Sequence, residues 1–282
     1  MTPLSDYDPP AGVVHDVVAR ALAEDLGVLG DITSVAVIPM GVTATGRFVT
    51  RAEGVLAGTA AATETFRQVD PTIGVTWAVS DGDAIRAGQV LGTVDGSLRG
   101  VLTAERTSLN LLRHCSGIAT MTARYVAVVA GRTRVLDTRK TTPGLRSLEK
   151  AAVRAGGGCN HRDSLSDAVL IKDNHLVACD LSTAIGRALA RWPGRLVECE
   201  CETLEQVTEA RDAGVHRILL DNMDPTDVKT AIQLLEGAVA VEVSGGITLE
   251  TIGAYAAAEP EFISVGALTH SAGQLDLALD LD

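Results

Sequence analysis

The spacing of apolar residues in the first half of the chain changes between helical and strand-like periods. Apolar residues recur every three or four positions within 13–26, which predicts an amphipathic helix that ends at Gly27. A second helix is predicted at 59–69, and residues 101–130 are interpreted as two helices that break near Ser116-Gly117. The strand-like runs are 42–50, 54–57 and 73–79.

Two further stretches of the first half carry glycine and acidic residues at turn positions. Residues 27–34 are interpreted as a polar turn with no chemistry of its own. Residues 81–96 resemble the hairpins of biotinyl and lipoyl carrier domains, which present a modified lysine at a tight turn. Because the first lysine of this chain is Lys140, no group can be attached there. We therefore interpret 81–96 as strands with a scaffold role.

The second half, from Thr133 onward, alternates short apolar runs with helical stretches. Strands spaced by helices are typical of βαβ units in a parallel sheet, and the right-handed crossover rule then allows a doubly wound sheet or a (β/α) barrel. The predicted strands are 134–138, 167–172, 195–200, 217–221, 239–244 and 262–266. The predicted helices between them are 144–155, 181–192, 203–213, 225–236 and 248–258.

Polar residues at the carboxyl ends of the six predicted strands favour the barrel. A barrel places all of these ends around one mouth, where barrel enzymes keep their active sites, whereas a doubly wound sheet uses only the ends near its switch point. In strand order, the residues at these ends are Arg139 and Lys140, Lys172 and Asp173, Glu198 and Glu200, Asp221 and Asn222, Glu242 and Ser244-Gly245-Gly246, and Gly266 followed by His270.

The charge distribution points to the same half of the chain. The protein has a formal net charge of −12, and three of its four lysines lie within 137–175. Residues 132–172 contain nine Lys and Arg against four Asp and Glu, a net +5, whereas the other residues total −17. Such a concentration of positive charge in an acidic protein predicts a site for a small, highly charged anion. The alternative interpretation is a solvated basic surface.

Length and composition limit the class of protein. A chain of 282 residues is expected to form about two domains, or one large α/β barrel with an appendage. Its apolar runs are too short for a membrane span, and its start does not have the pattern of a signal peptide. The negative charge argues against nucleic acid as the main partner. Five cysteines without a C-x-x-C pair indicate a reduced, cytoplasmic protein.

Two groups of side chains at the predicted mouth suggest particular chemistry. Ser244-Gly245-Gly246, together with Gly266, is typical of a barrel phosphate cradle, in which backbone N–H groups and a helix N-terminus bind the anion. Glu200 and Asp221 end neighbouring strands, so their carboxylates can converge on one Mg²⁺ whose other oxygens come from a polyphosphate. The alternative is that one or both carboxylates pair with Lys140 or Lys172.

Two residue types need separate interpretation. The alternation in 197–202 places the acids on one face of a strand and Cys199 and Cys201 on the other, so we expect the cysteines to be packing residues. Two cysteines at this spacing without histidine partners do not suit zinc. His161, beside Arg162 in a glycine-rich loop, is expected to be functional.

Several motifs together resemble one family, the quinolinate phosphoribosyltransferases. They extend from near the start of the chain almost to its end, in the order of the family. The motifs are EDLGVLGDIT (24–33), TAERTSLNLLRHCSGIAT (103–120), DTRKTTPGLR (137–146), EKAAVRAGGGCNHR (149–162), LIKDNH (170–175), LLDN (219–222), SGGI (244–247) and ISVGALTHS (263–271). The chain departs from the family at Ala151, where tyrosine is usual, and at Cys199 and Cys201, where valines are usual. None of these is a charged ligand position.

The resemblance implies an α/β protein of two domains. An N-terminal α/β sandwich-like domain (1–115) precedes an incomplete (β/α) TIM-like barrel (116–282), and the resemblance allows a C-terminal helix to pack back on the first domain. Similar enzymes are homodimers in which the N-terminal domain of one subunit covers the barrel mouth of its partner. They join quinolinate to phosphoribosyl pyrophosphate with Mg²⁺, and they release nicotinate mononucleotide, pyrophosphate and CO₂.

The resemblance also implies roles for residues at matching motif positions. Quinolinate is a dianion with adjacent carboxylates, which suit planar guanidinium groups. Lys140 and Lys172 would lie between the two anionic substrates, and Glu200 and Asp221 would serve Mg²⁺ and the ribose hydroxyls. The quinolinate residues would be Arg106, Arg139, His161 and Arg162. The phosphate residues would be Ser244, Gly245, Gly246, Gly266 and His270.

Three alternatives remain open on the residues alone. A Schiff-base barrel aldolase would use Lys140 or Lys172 as a nucleophile. A related transferase would act on another pyridine carboxylate. A non-enzymatic carrier is disfavoured because 81–96 contains no lysine.

Overall fold

A computed structural model of the chain describes residues 7–281. The prediction about a signal peptide falls mostly on residues 1–6, which lie outside this range. In chain order, the helices and strands are α1 Ala11–Leu26, α2 Ile32–Val37, β1 Thr43–Thr50, β2 Gly54–Val55, α3 Thr59–Val69, β3 Gly74–Trp77, β4 Ala84–Ile85, β5 Val90–Ser97, α4 Leu98–Val129, β6 Arg134–Leu136, α5 Arg146–Ala155, β7 Val169–Ile171, α6 Leu181–Arg191, β8 Val197–Cys201, α7 Leu204–Asp212, β9 Arg217–Asp221, α8 Pro225–Leu235, β10 Ala240–Ser244, α9 Ile252–Ala256, β11 Phe262–Ser264, α10 Ala267–His270 and β12 Leu277–Leu281.

The chain divides into two compact units. The first contains the residues up to Ala123, residues 141–157 and the residues from Leu268 onward, and the second contains 124–140 and 158–267. The domain boundary expected after residue 115 falls within α4, which runs without interruption through both 115 and 123. That boundary stays a prediction.

The first unit is built on an antiparallel sheet with the strand order β12-β1-β5-β3. Its core contains Phe48 and Phe66, both almost fully buried, with Trp77 stacked on Phe48 at 4.6 Å between ring centroids. The expected C-terminal helix is wrong, because Leu277–Leu281 forms strand β12 and pairs with β1 from Thr50 to Gly46. The apolar residues of this segment alternate with period two, which is the strand pattern.

Two predictions about helices of the first half are also wrong. The polar turn at 27–34 contains the start of α2, whose N-cap Asp31 accepts a hydrogen bond from Ser34 N at 2.9 Å. The break near Ser116-Gly117 does not occur. Gly117 is needed for close packing instead, because a Cβ there would collide with the carbonyl oxygen of Gly273. Ser116 Oγ bonds the backbone of Ala57 at 3.1 Å.

The second unit contains a parallel six-stranded sheet with the order β6-β11-β10-β9-β8-β7. The order follows the chain from β7 to β11 and then continues to β6, which is a cyclic arrangement typical of a barrel and not of a doubly wound sheet. Within the described residues β6 and β7 form no ladder with each other, so the barrel is incomplete; a single parallel bridge joins Leu136 to Cys159. The predicted fold class is confirmed.

Local sequence signals explain where the crossover helices of the second unit begin. The side chains of Asp180, Thr203 and Asp224 cap α6, α7 and α8, and Pro225 stands at the first position of α8. The last crossover helix, α9, is shorter than the predicted 248–258 and begins only at Ile252. Of the helices in the part of the chain that the structure describes, none combines the length and hydropathy of a transmembrane segment.

Candidate active site

A cavity of about 380 Å³ lies in the second unit at the carboxyl ends of its strands. Strand alternation positions its walls, since every second residue of β7 to β10 faces the same side. Eight of the predicted site residues line the cavity: Arg139, Lys140, His161, Arg162, Lys172, Glu200, Asp221 and Ser244. The other lining residues are Thr138, Leu170, Leu219, Glu242 and Ser264.

The basic residues of the cavity come from the ends of β6 and β7 and from the loop before β7. Burial lowers the pKa of Arg162, and the nearby positive charge of Arg139 acts in the same direction. Arg162 Nη1 donates to the carbonyl oxygen of Ala168 at 2.9 Å, which fixes the direction of the guanidinium group. Two like charges side by side in a partly buried cavity favour an anionic ligand.

The two acids predicted to bind metal have protein partners in this structure. Glu200 forms a hydrogen-bonded ion pair with Lys172, and Asp221 accepts a hydrogen bond from Asn222 Nδ2 at 2.6 Å. The lysine pairing that we considered as the alternative is therefore present for Glu200. Carboxylate oxygens are nevertheless the donors that Mg²⁺ prefers, and two carboxylates leave most of its six positions to substrate and water.

The loop that carries His161 and Arg162 is attached to the end of β6 by Asp137. This fully buried carboxylate accepts hydrogen bonds from Asn160 Nδ2 at 2.5 Å and from His161 N at 2.9 Å. Asp137 N in turn donates to Cys159 O at 3.1 Å. Sequence reasoning did not assign Asp137, although it opens the DTRK motif and was available as a candidate.

A layer of charged side chains lies deeper in the barrel. Sequence reasoning assigned no role to these side chains. Glu198 and Glu242, both fully buried, come two residues before Glu200 and Ser244 on the same faces of β8 and β10. Glu242 accepts hydrogen bonds from Arg217 Nη1 at 3.1 Å and from Ser264 Oγ. Acidic residues at alternate positions of a buried strand, such as Glu198 and Glu200 in β8, were the sequence signal that could have identified this layer.

The pKa values of the two buried acids differ. Burial raises the pKa of Glu198 to about 7, and the adjacent Glu242 acts in the same direction against the hydrogen bond from His161. Burial also opposes ionisation of Glu242, but the hydrogen bonds from His161 and Ser264 hold the pKa of Glu242 below its ordinary value. Glu242 is therefore the more readily ionised of the two acids.

Both ring nitrogens of His161 have partners in the protein. Nε2 lies 3.0 Å from Glu198 Oε2 and 3.4 Å from Glu242 Oε2, and Nδ1 accepts a hydrogen bond from Arg162 N at 2.7 Å. Burial lowers the pKa of His161, but the hydrogen bonds to the two acids outweigh it and raise the value to about 9. The raised pKa and the hydrogen bond from Arg162 N favour opposite protonation states, because a hydrogen on Nδ1 would break that bond. We assign the state that fits the geometry, which is the neutral ring with its hydrogen on Nε2.

The predicted phosphate cradle is only partly in the form expected. Ser244 lines the cavity, and Gly245 and Gly246 follow it with φ angles of +96° and +60°. Because α9 begins at Ile252, the helix N-terminus expected directly after these glycines is absent, and the backbone there is a loop. Gly266 precedes the short helix α10.

Two predicted site residues belong to the first unit, as does most of α10. Arg106 lies on α4 with its side chain 58% exposed and Glu105 at 3.9 Å, and it lines a polar cavity of about 270 Å³ that also contains Arg51 and Arg113. His270 ends α10, and its Nδ1 lies 2.7 Å from Ser271 Oγ. The roles of both residues stay predictions.

The cysteine prediction is confirmed by the burial of β8. Cys199 and Cys201 are fully buried on the face opposite the acids, with their sulfur atoms 3.8 Å apart. All five cysteines are free thiols.

Fold and cavity together define a barrel enzyme for anionic substrates, with paired guanidinium groups, two lysines and two strand-end carboxylates. Comparison with known proteins identifies the family. The family described as "Quinolinate phosphoribosyl transferase, N-terminal domain" matches residues 31–116, and its C-terminal domain matches residues 118–280. The chain belongs to the quinolinate phosphoribosyltransferase family.

Individual relatives agree over nearly the whole chain. The nicotinate-nucleotide pyrophosphorylase [carboxylating] of Mycobacterium leprae is 44% identical, over 99% of this chain and 100% of the relative. A mitochondrial quinolinate phosphoribosyltransferase [decarboxylating] of Nicotiana tabacum is 40% identical, over 98% of this chain and 85% of the relative. The crystal structure of NadC from Streptococcus pyogenes superimposes with a TM-score of 0.94 at 40% identity, over 98% of both chains.

Proposed function

We propose that this protein transfers the phosphoribosyl group of phosphoribosyl pyrophosphate to quinolinate, with formation of nicotinate mononucleotide, pyrophosphate and CO₂. This is a reaction of de novo NAD biosynthesis. The observation that carries the proposal is the cavity in which Arg139, Arg162, Lys140 and Lys172 meet Glu200 and Asp221. Guanidinium groups match the adjacent carboxylates of quinolinate, while lysines and acids suit a metal-bound pyrophosphate.

The arrangement of the cavity walls supports a proposed position for each substrate group. Arg139 and Arg162 would bind the pyridine dicarboxylate, because their charges lie together and the Arg162 guanidinium is oriented by Ala168 O. Lys140 and Lys172 would contact both anions. Ser244, Gly245 and Gly246 would receive the ribose phosphate at the ends of β10 and the following loop, with Gly266 and His270 as further candidates.

The reaction requires positioning and charge neutralisation more than a nucleophile. The bond between the ribosyl carbon and the pyrophosphate oxygen breaks, and its electron pair leaves with pyrophosphate. The pyridine nitrogen donates its lone pair to the oxocarbenium-like carbon. The resulting positive ring then accepts the electrons of the adjacent carbon–carboxylate bond as CO₂ leaves, and the ring carbon takes one proton from water. Lys140 and Lys172 neutralise charge on the departing group.

We include Mg²⁺ in this proposal, held by Glu200 and Asp221. When bound, the ion would neutralise charge on the pyrophosphate and orient it. For Glu200 to act in this way, its ion pair with Lys172 has to exchange for metal and substrate, which frees the Lys172 ammonium for the anion.

The direct test is product formation by the purified protein. Quinolinate and phosphoribosyl pyrophosphate should yield CO₂ and nicotinate mononucleotide in equal amounts, measured with carboxyl-labelled quinolinate and by chromatography. Nicotinate in place of quinolinate should give no nucleotide, because it lacks the second carboxylate. Turnover of nicotinate alone would contradict the proposal and favour the related transferase.

The Schiff-base alternative has less support in the structure. Lys172 is ion-paired with Glu200, whereas a Schiff-base lysine needs an unprotonated amine. Borohydride trapping with a carbonyl substrate should therefore leave the mass of the protein unchanged.

Metal removal tests the roles of Glu200 and Asp221. A chelator should stop turnover and leave quinolinate affinity within about twofold of its value with Mg²⁺, because the proposed role of the acids is to bind metal and pyrophosphate and not the pyridine dicarboxylate. Turnover in a metal-free preparation would show that the two acids act only as partners of lysine and asparagine.

We further propose that the protein is a cytoplasmic homodimer. Exposed apolar side chains of the first unit concentrate within 28–42, including Val28, Leu29 and Met40, each more than 80% exposed. An apolar surface of this kind is the usual sign of a protein interface, and a second copy of the chain is the proposed partner. The proposed location rests on the unpaired cysteines.

A further inference from the structure

The buried layer of Glu198, Glu242, Arg217 and Ser264 has no part in the reaction as described. None of these residues is needed to bind a substrate group, yet two carboxylates without solvent exposure are costly in a barrel interior. Glu242 and Ser264 reach the cavity wall, whereas Glu198 and Arg217 are not among its lining residues, so the cluster is placed to support a residue of the site.

The side chain that they support is His161. Its imidazole is 9% exposed, and its Nε2 faces both carboxylates. Its Nδ1 is occupied by the Arg162 N–H at 2.7 Å. Both nitrogens are therefore engaged before any ligand arrives, which makes an indirect role more consistent with the geometry than a hydrogen bond to substrate.

From this geometry we propose that Glu242, together with Glu198, is a positioning residue that fixes the quinolinate end of the site through His161 and the backbone of Arg162. The inference rests on the proposed function and deepens it. It changes the role of His161 from a direct quinolinate ligand to a link between the buried acids and Arg162.

A series of contacts leads from the buried layer to Arg162. Arg217 Nη1 and Ser264 Oγ hold Glu242 from two sides, and Arg217 also packs on the Phe262 ring at 4.2 Å from its centroid. Glu242 and Glu198 hold the imidazole by Nε2. His161 Nδ1 accepts a hydrogen bond from Arg162 N, which fixes the backbone of Arg162. Ala168 O accepts one from Arg162 Nη1, which fixes the guanidinium group.

The same cluster could be interpreted as a cation site, because the ligand atoms of His161, Glu198 and Glu242 lie within 4.8 Å of one another. The guanidinium of Arg217 lies 3.1 Å from Glu242 and already neutralises it. A second cation beside it would be repelled, so the cluster is better suited to holding a ring than an ion.

The test compares the affinities of the two substrates. Glu242→Gln keeps the shape of the side chain but removes its charge, so Arg217 turns to Glu198 and competes with His161 for it. Calorimetry should show quinolinate bound about tenfold more weakly, with phosphoribosyl pyrophosphate affinity within about twofold of wild type. In steady-state assays the KM for quinolinate should rise with little change in kcat.

A matched control separates positioning from general loss of stability. Glu149 is also fully buried and also bonds a histidine, His114 Nε2 at 2.8 Å, but it lies in the first unit. Glu149→Gln should lower the melting temperature without changing the ratio of the two affinities. Ser264→Ala removes one hydrogen bond to Glu242 and should weaken quinolinate binding selectively by about threefold. This variant tests the positioning role if Glu242→Gln does not fold.

The other possible results would each contradict the positioning role or the proposed function. Unchanged quinolinate affinity in both Glu242→Gln and Ser264→Ala, an equal loss for both substrates, or the same selective loss in Glu149→Gln would overturn the positioning role while leaving the proposed function intact. If the wild-type protein itself neither binds quinolinate nor releases CO₂ from it, the proposed function is wrong and the inference falls with it.

Discussion

Gly245 shows how single residues at the mouth are constrained by backbone conformation. Its φ of +96° is unfavourable for a residue with a side chain, and a Cβ there would lie 2.7 Å from Asn222 N. Gly245→Ala should therefore cost about 1–3 kcal/mol of stability and reduce phosphoribosyl pyrophosphate affinity. Denaturant unfolding measures the first effect and calorimetry the second.

Gly246 provides the control for this prediction. Its φ is +60°, but no atom lies within 4 Å of the Cβ position. Gly246→Ala should show only the smaller cost of the left-handed conformation. Equal losses in the two variants would mean that the contact with Asn222 does not limit the loop.

Glu64 permits a residue-scale prediction about pH. Hydrogen bonds from Arg67, the strongest, and from Gln68 and His15 lower the pKa of Glu64 to about 2, against the effect of burial. The unfolded carboxyl titrates near 4.5, so its stabilisation is complete above that pH and is lost as the pH falls through about 2. Because Arg67 and His15 are more than half exposed, we expect about 1–2 kcal/mol.

Thermal unfolding of Glu64→Gln across pH 2–7 checks this sign. The difference in stability from wild type should be constant at neutral pH and shrink toward zero as pH approaches the folded pKa. A difference that grows on acidification would show that the hydrogen bonds of Glu64 do not favour its charged form.

At the scale of elements, α4 is the clearest test of glycine placement. Alanine normally stabilises a helix by about 1 kcal/mol over glycine. Gly117→Ala should do the opposite, because its Cβ would meet Gly273 O, and the 273–275 segment would have to move. Gly186→Ala on α6 should stabilise the protein, because no atom lies within 4 Å of the Cβ position there. Stabilisation by both substitutions, measured by denaturant unfolding, would contradict the packing explanation.

The same helix shows which features of the fold were accessible from the sequence. Period-two and helical spacing depend on local burial, so the six parallel strands and most helices could be predicted. Whether Ser116-Gly117 breaks a helix depends on residue 273, which is distant in sequence. The alternation of Leu277 and its neighbours is itself a strand pattern, and the helix expected at the C-terminus came from the family resemblance alone.

The candidate site likewise divides into features that local sequence predicts and features that depend on distant contacts. Strand ends predict which side chains share a mouth, so Arg139, Lys172 and Glu200 were found in one cavity. The Lys172–Glu200 pair and the buried layer below His161 depend on contacts across strands. Sequence alone names Glu242 as a residue of a strand end, whereas its burial and its hydrogen bonds from Arg217 and Ser264 are seen only in the structure.

At the scale of the whole molecule, the predicted quinolinate residues are divided between the two units. Arg139 and Arg162 belong to the second unit, whereas Arg106 belongs to the first and is 58% exposed. The family resemblance implies that Arg106 completes the site of a partner subunit. A two-fold dimer would then contain two shared sites.

Mixing two inactive variants tests this arrangement. Arg106→Ala and Lys172→Ala are unfolded together and refolded as an equal mixture. In a hybrid dimer, one site combines the intact barrel of the first chain with the intact Arg106 of the second, while the other site carries both lesions. Random pairing makes about half of the dimers hybrid, so activity should return to about a quarter of wild type. If Arg106 served its own barrel, every hybrid site would carry one lesion. Mass spectrometry of the intact dimers confirms that hybrids are present, and no recovery in such a mixture would remove Arg106 from the partner's site.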